Sequence, residues 1–325
     1  MLAEFLLTPD TLADDDGRNG TDVVREITDC LFPSRAVPVA LVCKLGGDKW
    51  EIAASRRIAR IENRNHRDAA MSFFKKLVSE YCAIRPPIQM PSEDENAWFN
   101  AGLTSASQVP MERIVVSAKF NLPSTMGVSL KTFVSDGFWV NYENPRLVGR
   151  DTASQEQVLR AICTHSEWLL LRLPQIRGGS DDEIVTVKQI IRMSNQQLPA
   201  GFSKSFIDLH LCLSGNLTEQ QLIRSVSSEL SSFVRTGVKI QLTIWPKAHF
   251  VNREILGGDY TKTSPGDLLQ RSLWYITMNH VAVGSRRAAN AGDAGNAWSL
   301  FSRQKAHERR EGIKAETPLR VEVLT

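Results

Sequence analysis

No CxxC pair occurs in this 325-residue chain, and its five cysteines, Cys30, Cys43, Cys82, Cys163 and Cys212, are odd in number and far apart. That spacing argues against a cysteine zinc cluster and leaves five small core hydrophobes of a reducing compartment. Strong net charge is missing too, because 39 Lys and Arg stand against 36 Asp and Glu, a balance of +3. A histone-like positive coat is excluded, although a local basic face is not. Apolar stretches such as "WLLLRLP" are too short to span a bilayer. The opening "MLAEFLLTPDTLADDDG" lacks a basic start and turns acidic after a few apolar residues, unlike a secretory signal. Together these absences predict a cytoplasmic protein with no membrane partner.

Complete catalytic motifs are also missing. "CKLGGDKW" and "IRGGSDDE" hold paired glycines in neither a Walker nor a GxGxxG context, so a phosphate-binding loop has no support. His249, His280, Glu254 and Asp259 are acceptable metal ligands, but no HxH or HExxH spacing sets two of them on one face. No metal and no cofactor is expected. Serine-based chemistry has no elbow motif to carry it.

A hydrophobic content of 42% is ample for a buried core. "EFLLT", "TDVVREITDCLF" and "VPVALVCKL" read as strand, helix and strand, the order of a parallel crossover. "DKWEIAASRRIARIEN" reads as an exposed strand or hairpin and "HRDAAMSFFKKLVSEYC" as an amphipathic helix. "ERIVVSAKF" is a further strand, and "LKTFVSDGFWVNYENPRLVG" holds one or two more around a "DG" turn. A boundary is expected between Gly149 and Thr152. Beyond it, "SQEQVLRAICTHSEWLLLRL" is helical in pattern as far as Pro174.

The best-defined unit comes next. "SFIDLHLCL" alternates as a strand, Thr218 and Gln221 form a capping box for a helix ended by Gly237, and "VKIQLTIW" is a second strand. A crossover this short makes the two strands parallel neighbours, with their carboxyl ends on one edge of the sheet. Ligands of open α/β sheets favour that edge. "HFVNREIL" and "SLWYITMNHVAVGS" follow as strands, "GSRRAANAGDAGN" as a mobile connection, and "NAWSLFSRQKAHERREGIKAE" as a helix. The predicted organisation is an N-terminal lobe over 1–150, a C-terminal lobe over 151–290 and a linker with helix over 291–325.

Alternation along "HFVNREIL" puts His249 and Arg253 on one face, where an imidazole and a guanidinium could meet phosphate. An ordinary strand with an Arg253–Glu254 pair is the plain competitor. His280, mid-strand, is a second imidazole or a hydrogen-bonded core residue. Lys247, Ser285 and Arg286 are candidate phosphate contacts near strand ends. Arg56, Arg57 and Arg60 form a basic stretch suited to DNA or RNA backbone, or else a solvated face with acidic partners.

A crossover unit, a strand beginning at His249 and a strand ending at Gly284 and Ser285 resemble one half of the phospholipase D-like fold over residues 205–286. In that superfamily two halves face each other, one histidine attacks phosphorus and another protonates the leaving oxygen. The family signature is histidine, any residue, lysine, four residues, aspartate. Counted from His249, Val251 holds the lysine place and Leu256 the aspartate place. Only His249 and the Gly284–Ser285 pair carry over.

The resemblance implies an α/β protein of two lobes, each a mixed β-sheet flanked by helices, that binds phosphodiester or nucleic-acid backbone. If active, it would be a metal-independent phosphodiesterase or nuclease centred on His249, Arg253 and His280. A role within a bacterial, defence-type multi-protein system fits the same resemblance. The alternative is a non-catalytic scaffold subunit that docks a protein partner through Trp298, Leu300 and Phe301 on its C-terminal helix.

Overall fold

The computed structural model describes residues 3–32, 40–80, 82–85, 88, 94–142, 146–149, 152–174, 182–195, 206–250, 252–258, 274–281 and 295–324. The chain divides into two compact units, Met1–Glu143 and Asn144–Thr325. The sequence pattern places that division a few residues later, at Gly149 to Thr152.

In the first unit the elements run β1 (Ala3–Leu7), α1 (Gly20–Leu31), β2 (Ala40–Lys44), α2 (Asp48–Ala59), α3 (Arg64–Glu80), β3 (Cys82–Ile84), α4 (Glu95–Gln108), β4 (Arg113–Val116), β5 (Gly127–Ser129), α5 (Leu130–Phe133) and α6 (Asp136–Trp139). The strands form one sheet in the order β3-β2-β1-β4-β5, and every pairing in it is parallel. All five residues of β1 are buried, as a central parallel strand covered on both faces requires. On one face Phe5 enters an aromatic cluster with Phe133 at 5.2 Å and Trp139 at 5.5 Å between ring centroids. On the other face α4 lies close, because Gly102 has no side chain. A Cβ there would sit 2.6 Å from Leu6.

Buried among these layers is a charge. Glu4 accepts hydrogen bonds from Arg85 Nε at 2.7 Å and Cys43 Sγ at 2.9 Å. Burial pushes the Cys43 thiol well above its usual value, so it remains an S–H donor. Arg85 also donates to the carbonyls of Ser105, Val109 and Pro110, tying the end of α4 to the sheet.

The second unit runs β6 (Arg146–Gly149), α7 (Thr152–Thr164), β7 (Trp168–Leu173), α8 (Asp182–Asn195), β8 (Phe206–Cys212), α9 (Glu219–Arg235), β9 (Lys239–Trp245), β10 (Arg253–Gly258), β11 (Trp274–Val281), β12 (Gly295–Leu300), α10 (Arg303–Ala315) and β13 (Arg320–Leu324). Among the described residues its strands are ordered β13-β9-β8-β7-β10-β11-β12-β6. β7, β8 and β9 are mutually parallel and the remaining pairings are antiparallel. The predicted crossover is present: Phe206 pairs in register with Lys239, Thr218 and Gln221 close the capping box on α9, and Gly237 turns the chain at φ 88°.

The α/β class is thus correct, and the mixed sheet belongs to the second unit, whereas the first is parallel. Several elements differ from their sequence reading. Residues 168–173 are a buried strand rather than the end of a helix, because a short run of five apolar residues and one arginine fits a strand covered on both faces. Residues 48–59 are a helix rather than a strand, with Trp50, Ala54 and Ile58 buried four residues apart. Leu130 to Tyr142 coils through short helical turns instead of strands. The segment 291–325 is not a separate linker and helix. Its residues 295–300 form β12 between β11 and β6, and its last strand, β13, pairs with β9. Of the expected mobile stretch at 284–296, residues 284–294 lie outside the described residues, and Gly295 and Asn296 instead begin β12.

Candidate functional site at the carboxyl edge of the second sheet

The two faces of the second sheet differ in chemistry. Leu171, Leu209 and Leu242 lie in register on one face, all fully buried. One residue along, Thr243, His210, Arg172 and Glu254 are in register across four adjacent strands, and each is at most 4% exposed. Four polar side chains in one buried row need partners within reach.

His210 Nδ1 accepts from Trp245 Nε1 at 3.0 Å, and its Nε2 lies 3.2 Å from Asp208 Oδ2. An indole nitrogen can only donate, so Nδ1 presents its lone pair and the ring proton sits on Nε2, aimed at Asp208. Thr243 Oγ1 donates to the second Asp208 oxygen at 2.9 Å. The Trp245 ring carries the arrangement outward, stacking on His249 at 4.6 Å with 8° between planes. His249 Nε2 in turn meets Glu316 Oε2 at 3.0 Å.

Glu316 links that surface imidazole to the interior, because Arg172 Nη2 donates to the same oxygen at 3.4 Å. The Arg172 guanidinium lies over the Phe250 ring at 4.1 Å, and its Nη1 is 3.6 Å from Glu254. Its Nε and Nη1 lack hydrogen-bond partners among the described residues. Burial, and the nearby charge of Arg309, draw Arg172 below the usual arginine value, against the pull of Glu254 and Glu316. Arg309 on α10 holds Glu254 with both forks, at 2.7 to 3.1 Å.

Arg253 does not join His249. β10 starts at Arg253, so strand alternation sends its side chain to Glu183 of α8, Nε to Oε1 at 2.5 Å, while Glu254 faces Arg172. His249 lies before the strand, in a turn where Ala248 has φ 57° and the His249 amide donates to the Pro246 carbonyl. The expected shared face therefore fails, because only residues inside a strand alternate. His280 lies on β11 opposite Asn296 of β12. Lys247 is exposed on the His249 turn. Ser285 and Arg286 lie outside the described residues.

In the first unit Arg56 and Arg60 are exposed at the end of α2, whereas Arg57 turns to Asp10 at 2.8 Å. The switch in strand order between β1 and β4 is a usual ligand crevice. Here Glu95 spans it, accepting from Thr8 Oγ1 at 2.7 Å, the Ser117 amide at 2.8 Å and Ser117 Oγ at 2.6 Å. Among the described residues no cluster of three or more His, Cys, Asp or Glu could hold a metal ion.

Docking through Trp298, Leu300 and Phe301 on a helix is not what the structure offers: all three precede α10, Trp298 and Leu300 are buried at 1% and 2% exposure, and Phe301 is partly buried against Trp168, Leu170 and their neighbours. Trp298 Nε1 donates to Gln155 at 2.8 Å. Sequence reasoning misses Arg172, His210, Trp245, Glu316 and Arg309 as one network. Two signals point to it: a single arginine inside "WLLLRL", and Asp208 and His210 sharing one side of an otherwise apolar strand.

Fold and site together define an α/β protein of two units whose second sheet carries a buried ionic network opening at His249. No helix among the described residues is long and apolar enough to cross a membrane. No protein-family model matches the chain, and neither does any curated protein.

Proposed function

We propose that the second unit binds phosphodiester, as in DNA or RNA backbone, at the carboxyl edge of β8 and β9, without cleaving it. The observation that carries this reading is the mounting of His249. Glu316 accepts from its Nε2–H and Trp245 supports its ring, so that with a proton on each nitrogen the ring donates its Nδ1–H to an anion beside the exposed Lys247. Binding is favoured over cleavage because the nucleophilic nitrogen faces a carboxylate and Arg253 is engaged by Glu183 on the other face. Kinship with phospholipase D-like folds belongs to the same proposal. It is supported by the crossover of residues 206–245 followed by the antiparallel β10 and β11.

Fluorescence anisotropy with labelled single-stranded and duplex oligonucleotides tests the proposal. Affinity should fall steeply with salt, and Lys247→Glu and His249→Ala should each weaken it by about tenfold at low salt. Equal affinity in all three proteins would refute the site. Release of nitrophenol from bis-nitrophenyl phosphate that His249→Ala abolishes would replace binding by catalysis.

A further inference from the structure

β13 forms one margin of the second sheet. It pairs with β9, and among the described residues no strand lies beyond it. An edge strand directs alternate N–H and C=O groups outward, and proteins usually guard such an edge with charge, proline or a bulge. This edge is apolar along one face. Val321 and Val323, with Leu319 in step just before the strand, are 49%, 57% and 48% exposed. On the other face Arg320 and Glu322 form an intrastrand ion pair, Nη2 to Oε2 at 2.9 Å. A groove of about 560 Å³ between α9 and β13, lined by Ile223, Val234, Arg235 and Leu324 among others, runs beside it.

We propose that two copies of this chain associate through β13, strand against antiparallel strand, about a two-fold axis at Val321. Opposite residues of an antiparallel pair share a face. An axis at Val321 therefore sets Arg320 opposite the partner's Glu322 and Leu319 opposite the partner's Val323. By symmetry each ionic crossing occurs twice, closing a ring of two arginines and two glutamates, while the exposed apolar residues of both copies join in one strip. Moving the axis one residue forward pairs Glu322 with itself, and moving it one residue back pairs Arg320 with itself. Of these three registers, only the one centred on Val321 sets no like charges opposite each other. A strand reading Arg-Val-Glu is its own antiparallel complement, which selects a second copy over a foreign strand.

Sedimentation velocity of the full chain over a dilution series tests this, with a dimer expected. Arg320→Glu and Glu322→Arg, each alone, set like charges opposite one another twice and should weaken dimerisation by about tenfold or more. Mixed in equal amounts, the two variants should form a mixed dimer, because every crossing then joins opposite charges. Val321→Lys puts two ammonium groups on the axis at an exposed site. It should leave a monomer with unchanged circular dichroism and melting temperature. A wild-type chain that remains monomeric at every concentration, a mixture that fails to pair, or a dimer that survives Val321→Lys would overturn the proposal.

Discussion

In the first unit a buried carboxylate, Glu4, meets Arg85 and the Cys43 thiol, and the group ties β1, β2 and the end of α4 together. In the second, Glu254 is shared between Arg172 and Arg309, and the network continues through Glu316 to His249 at the surface. One arrangement lies among buried groups and the other runs from core to solvent. The difference separates an internal clamp from a network that reaches the surface: the first ties packed layers together, whereas the second links buried charge to a solvent-facing imidazole.

The largest effect should come from breaking the clamp. Arg85→Met takes the guanidinium from buried Glu4 and a donor from the carbonyls of Ser105, Val109 and Pro110, which should cost the first unit about 3–5 kcal/mol. Denaturant unfolding with hydrogen exchange mapped to each unit measures it, and protection in the second unit should not change. A smaller effect is expected from Arg172→Met, about 1–3 kcal/mol, because Arg309 still holds Glu254 with both forks. Equal losses in the two variants would erase the distinction between clamp and network.

The smallest effect is a pH dependence in the first unit. Burial holds the His66 imidazole below its usual value, against the pull of Asp15 and Asp14. As pH falls below about 6.5 the unfolded chain takes up a proton that the folded ring refuses, so stability declines with acid until the folded value is passed. Melting temperatures from pH 7 downward should fall less steeply in His66→Gln than in the wild type.

Legibility differs between elements for physical reasons. The crossover of β8, α9 and β9 is readable because alternation, a capping box and a terminal glycine all agree within residues 206–245. β7 is misread because its six apolar-rich residues carry no period that separates strand from helix. β12 and β13 are missed because strands at a sheet margin are defined by their partners, β11 and β9, which lie elsewhere in the sequence. His249 stands out as a candidate from its position after β9, but its partners do not, since Glu316 lies 67 residues away.

Local order, then, determined the α/β class, the central crossover and the edge on which His249 emerges, because hydrophobic period and capping act over a few residues. Only the tertiary structure decided that Arg253 turns to Glu183, that Arg172 is buried between Glu254 and Glu316, and that Trp298 belongs to the core. Those outcomes depend on register between distant strands, and a shift of one residue would carry each side chain to the opposite face.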